Sequence, residues 1–126
     1  MARRTIHQAD CLALLGDQFD HVHEWLDQYA DVFHIRKFQD YHRSFLHNSY
    51  GLEIIGARWG GKAYEAGRIH LARDYADSVP ISALRRHTDK ALMWFNKMFE
   101  MKPHLHPYIL RGWKNGSLVA VAMGER

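Results

Sequence analysis

The sequence predicts a mainly α fold, a single-domain helical bundle of about four to five helices with a C-terminal β-hairpin extension. Three observations carry that prediction. Apolar residues recur at spacings of three and four from residue 5 to residue 101. Glycine and proline punctuate the chain between those stretches, notably at Gly16, Gly60-Gly61 and Pro80. Beyond Pro103 the texture changes to two β-prone runs, 108–113 and 118–123, flanking Lys114-Asn115-Gly116-Ser117, and Asn-Gly in that setting is a hairpin signal. The chain therefore divides into a helical region, 1–103, and an extension, 104–126.

The first helix is expected over residues 5–15, with Ile6, Ala9, Leu12 and Ala13 inward and Gly16 as its stop. Asp20 is a good N-cap for a second helix, 21–33, whose core face is Val22, Trp25, Leu26, Tyr29 and Phe33. A long third helix is predicted from Ile35 to Ala57. Its second half is apolar on several sides at Leu52, Ile54 and Ile55, as for an element crossing the domain. Gly51 and Gly56 weaken it, so they read as packing positions where another element comes close. After the turn at Arg58–Lys62, a fourth helix over 63–76 carries Tyr64, Leu71 and Tyr75 inward and ends before Pro80. The last, 82–101, is capped by Ser82, buries Leu84, Leu92, Phe95, Met98 and Phe99, and has a break point at Thr88-Asp89.

At 126 residues, 47% hydrophobic and 13% aromatic, the chain is long enough for one core and too apolar for disorder. No apolar run approaches the roughly 20 residues of a membrane span, and no signal peptide follows the basic start. The lone Cys11 excludes an intramolecular disulfide, reads as an inert thiol, and fits a reducing cytoplasm, bacterial or phage-infected. Seventeen Lys and Arg against 14 Asp and Glu give only +3, too little to establish nucleic-acid binding. The anomaly is ten histidines, dispersed along the chain rather than gathered in a tag.

Several of them sit where helix geometry gathers ligands. His23 with Asp27, and His70 with Asp74, are each one turn apart, so both side chains overhang one turn. His42 takes an apolar position in the stripe Ile35, Phe38, His42, Phe45, Ser49 and Leu52. His47 would point about 140° away from His42 on an ideal helix, so a local distortion is needed to bring it in. Neutral imidazole and carboxylate lone pairs at fixed spacing suit a divalent transition metal, zinc first, with iron, manganese or nickel as alternatives. His21 is expected to face solvent, and His104 and His106 lie in a loop with no ligand pattern. Arg85, Arg86, Lys90 and Lys97 read as a solvated face.

These motifs resemble those of a small family of bacterial and phage domains of unknown function. The resemblance rests on His23-Glu24-Trp25-Leu26-Asp27, on His42-Arg43-Ser44-Phe45-Leu46-His47 with Gly51, and on His70-Leu71-Ala72-Arg73-Asp74 before Val79-Pro80. It spans about residues 7–87. It implies that His23, Asp27, His42, His47, His70 and Asp74 belong to one site, and it brings no activity with it. Where the family has a second consecutive histidine, this chain has Asn48.

Three functions follow as expectations. The first is a metal-dependent hydrolase of phosphate esters, nucleotides or nucleic acid, with a metal-bound hydroxide and with Arg43 and Lys62 as phosphate clamps. The second is a non-catalytic interaction or inhibitor protein of the phage type, stapled by a structural metal, with the hairpin as a homodimer surface. The third is a basic nucleic-acid-binding helical domain without metal. A structural zinc site fills all four positions with protein ligands and a catalytic one leaves a position open, so coordinates discriminate between the first two.

Overall fold

A computed structural model describes residues 3–27 and 46–101 of the chain. They form helices α1 (Arg4–Leu15), α2 (Asp20–Leu26), α3 (Ser49–Trp59), α4 (Gly61–Tyr75), the one-turn α5 (Ile81–Leu84) and α6 (Thr88–Glu100), with a 3-10 turn at Arg85–His87. No strand occurs among the described residues. The hairpin signal, the first part of the long third helix, His42 and Arg43 lie outside them.

Helix α4 is the hub, packed against α1, α2, α3 and α6. Its small buried residues, Ala63, Ala66, Gly67 and Ala72, allow that many neighbours to come close, while Ile69 and Leu71 fill the core between them. Opposite them stand Val22 and Leu26 of α2, Leu52 and Ile55 of α3, and Ala91, Phe95 and Phe99 of α6. A Cβ at Gly67 would lie 2.6 Å from Leu52 Cδ2 and 3.1 Å from Ile55 Cδ1. Gly67→Ala is therefore expected to overpack the α3–α4 contact and destabilise by about 1–3 kcal/mol, read as a lowered midpoint in urea. An unchanged midpoint would show that Leu52 and Ile55 repack freely.

Several expectations need correction, among them the Ser82 cap, since Ser82 lies within α5 and Pro80 holds its N-cap position. The inward face of α1 is not Ile6, Ala9, Leu12 and Ala13: Ile6 and Leu12 are exposed, and His7, Asp10 and Cys11 are buried. The polar stripe goes inside with its carboxylate paired: Asp10 meets Arg73, whose Nε lies 2.8 Å from Oδ2 and Nη2 3.0 Å from Oδ1. Gly16 does stop the helix, in the left-handed conformation (φ 83°). Asp20 opens α2 rather than capping it, and Phe19 takes the cap position, its N–H donating to Asp17 Oδ1.

A further correction bears on function. The predicted Ile35–Ala57 helix is not continuous, because the chain leaves helical geometry at His47-Asn48 and α3 starts afresh. Asn48 is fully extended (φ −165°, ψ −179°), and its side chain accepts from the Gly51 N–H, the bond of an N-cap. The reversal folds the Leu46 carbonyl over the new helix, so that a Cβ at Gly51 would lie 1.8 Å from Leu46 O. Gly51 is thus a close-approach position, as its place in the sequence suggested. Tyr75, expected inward, is 39% exposed. The Thr88 break falls where predicted, with Thr88 Oγ1 donating to Arg85 O. No described helix is long and apolar enough to cross a membrane.

Candidate metal centre

Four side chains from three parts of the chain converge under α4. His70 and Asp74 hang from one face of α4, Asp27 ends α2, and His47 comes from the break before α3. The break supplies the distortion that His47 needed: outside any helical phase, its ring turns into the core and is completely buried.

The donor atoms are regularly spaced. His47 Nε2 is 3.1 Å from Asp74 Oδ2 and 3.6 Å from Asp27 Oδ1. His70 Nε2 is 3.3 Å from Asp74 Oδ2 and 3.4 Å from Asp27 Oδ1. A tetrahedron with arms of about 2.0–2.1 Å, the zinc–nitrogen and zinc–oxygen lengths, has edges of about 3.3–3.4 Å. His70 Nε2 meets neither carboxylate in hydrogen-bond geometry, although it lies within 3.4 Å of both. The four residues form a group that could hold a metal ion.

Charge argues the same way. Burial alone would raise the Asp74 carboxyl, but His47, His7 and His70 outweigh it and hold it far below the usual carboxylate range. Asp27 is likewise opposed by burial and lowered by His70 and His47. Two ionised carboxylates thus share one largely dry pocket. Burial pulls the His70 imidazole down, yet the facing Asp27 and Asp74 raise it to about 9. A proton on His70 offsets only one of the two negative charges, whereas a divalent ion offsets both.

His70 is also oriented from behind. His23 Nε2 lies 2.8 Å from Gln18 O, so it carries the proton and donates to that carbonyl. Burial, then the charges of His70 and His7, lower His23 to about 3, leaving its Nδ1 with a lone pair. That lone pair accepts from His70 Nδ1 at 2.9 Å. The relay from Gln18 through His23 fixes the proton on His70 Nδ1 and leaves Nε2 as the atom facing the carboxylates.

The site contains one residue that sequence reasoning missed. His7 of α1 is 1% exposed and stacks flat on His70, with ring centroids 3.6 Å apart. His7, His23 and His70 form a second group whose ring nitrogens lie close enough to hold an ion. The signal lay in α1, where His7, Asp10, Cys11 and Leu14 follow a 3/4 spacing as regular as that of the apolar residues chosen instead. Of the six expected ligands, His23, Asp27, His47, His70 and Asp74 are brought together. Lys62 is exposed at the start of α4, eight residues or about 12 Å along the axis from His70.

The other bland readings hold. Cys11 is fully buried with its Sγ toward Ala66 O, and burial pushes its thiol up to about 12, so it should resist alkylation until the protein unfolds. Arg85, Arg86, Lys90 and Lys97 are exposed. His21 is exposed and meets Trp59 edge-on.

The imidazoles set a pH window for the metal-free protein. A His70 raised to about 9 contributes stability that is complete below 6.5 and lost as pH rises through 9. His47, lowered by burial to about 4, and His23, at about 3, act oppositely: their neutral forms favour the fold above 6.5 and oppose it as pH falls toward those values. Chelator-treated protein should therefore melt highest near pH 6.5, losing stability progressively from there to about pH 9 and again as pH falls below 6.5. A Tm that stays level or climbs between pH 6.5 and 9 would contradict the charge assigned to His70.

Comparison of the chain with protein-family models, curated proteins and solved structures finds no match.

Proposed function

We propose that this chain is a metal-binding helical protein whose ion, zinc in the first place, is held by Asp27, His47, His70 and Asp74. The observation that carries the reading is the set of four donor–donor distances, 3.1, 3.3, 3.4 and 3.6 Å, around one point between two imidazoles and two carboxylates. Two imidazoles and two carboxylates are donors that suit zinc first, with iron, manganese or nickel as alternatives. Four protein donors fill a tetrahedral ion, which supports a staple joining α2, the start of α3 and α4 over an open catalytic centre.

A second reading, hydrolysis of phosphate esters, nucleotides or nucleic acid, is favoured by one specific feature. The imidazole group of His7, His23 and His70 lies directly behind the first, and three histidines are the donor number of an open, water-activating zinc site.

The test is elemental analysis with X-ray absorption on untagged protein purified without chelator or nickel resin. The result expected is at least one zinc per chain, bound by nitrogen and oxygen at about 2.0–2.1 Å with no sulfur. Metal-free protein that stays folded and refuses added zinc would overturn the reading, as would sulfur in the inner shell.

A further inference from the structure

The least satisfied buried group in the described part of the chain is His7. Neither of its ring nitrogens has a partner in hydrogen-bond geometry, although the side chain is 1% exposed. A buried imidazole left in that state costs about 1–3 kcal/mol, and stacking on His70 does not offset it, since an apolar ring would stack there equally well. What His7 does have is position. Its Nε2 lies 3.3 Å from Asp74 Oδ1, the oxygen that Asp74 turns away from the four-donor centre. Its ring is parallel to that of His70 to within 9° and 5.4 Å from that of His23.

We propose a second ion position, held by His7, His23 and His70 with Asp74 Oδ1 beside it, which makes the centre a two-ion site for divalent transition metals. The proposal rests on the four-donor reading, because two residues serve both positions. Asp74 presents Oδ2 to the first ion and Oδ1 toward the second. His70 would present Nε2 to the first and Nδ1 to the second as a bridging imidazolate, the proton it shares with His23 Nδ1 across 2.9 Å being released to solvent as the second ion binds. In the metal-free chain that proton holds the second place, as a proton on His70 Nε2 holds the first. An ion bound by the three imidazoles takes up one of the His7 nitrogens that are otherwise unsatisfied. It also has coordination to spare for water, which the four-donor position does not.

The test is a zinc titration of the full, chelator-treated chain against a chromophoric competitor, with cobalt absorption as a second readout. His7→Phe keeps a flat ring against His70 and removes both nitrogens. The wild-type chain is expected to take two equivalents in separable steps and His7→Phe one, with the cobalt spectrum of the remaining ion unchanged. One equivalent in the wild type would overturn the second position while leaving the first intact, with His7 and His23 then acting only on the ligands of one ion. Two equivalents retained by His7→Phe would also overturn it, since the extra ion would then lie elsewhere. No uptake at all would sink the four-donor reading and this one with it, and that outcome is distinguishable from the other two.

Discussion

Replacing His70 with alanine is expected to abolish stoichiometric metal uptake and to remove the thermal stabilisation that metal confers. No other residue touches so much of the site: its Nε2 faces both carboxylates, its Nδ1 meets His23, and its ring stacks on His7. Metal at 100 times its dissociation constant stabilises by about 2.7 kcal/mol. For a domain of this size that corresponds to roughly 10 °C in Tm, which chelator should take from the wild type and not from the variant. The metal-free variant carries its own penalty, because Asp27 and Asp74 lose the cation between them, so His70→Gln serves as a gentler companion. His87→Ala, outside the cluster, is the control that should keep its metal. A His70 variant that binds zinc with wild-type affinity would show that the ion sits elsewhere.

The second large effect is on stability and has nothing to do with metal. Asp10→Ala should lower stability by about 3–5 kcal/mol, or about 10–20 °C in Tm, because it strands the buried Arg73 guanidinium. That guanidinium makes two bonds to Asp10 and donates from Nη1 to Asp77 O at 2.8 Å and Val79 O at 2.7 Å. It thereby locks α1 to the end of α4 and to the turn before Pro80, one helical turn from the His7 ring. Differential scanning calorimetry at neutral pH reads the effect directly. A loss under about 1 kcal/mol would mean that water reaches Arg73 once the carboxylate is gone. Folded at low temperature, the same variant should still take up the first ion, since Asp10 supplies none of its four donors.

Much of the helical order was legible because the signals are local. Gly16 ends α1, Pro80 bounds the stretch after α4, and Thr88 divides the last helical region, each through backbone preferences that act within a few residues. The pairs His23/Asp27 and His70/Asp74 were legible for the same reason, since one helical turn fixes their spacing. His7 was not, because the sequence does not say which stripe of a weakly amphipathic helix goes inside. Hydrophobicity favoured Ile6 and Leu12, and the carboxylate facing His7 and the guanidinium facing Asp10 lie 67 and 63 positions away. His47 was legible only as a problem: periodicity aimed it away, and the break at Asn48 that turns it inward depends on a side-chain cap.

Composition and short-range spacing were enough to name most members of a His/Asp cluster that could hold a metal ion, and the helices that carry them. The tertiary structure alone decided the rest. It selected the polar face of α1, turned His47 inward at the Asn48 break, and brought two imidazoles and two carboxylates to within 3.1–3.6 Å of one another across the cluster. Each of these results depends on the packing of α1, α2 and α3 around α4, and contacts between residues far apart in the chain leave no periodic trace in it.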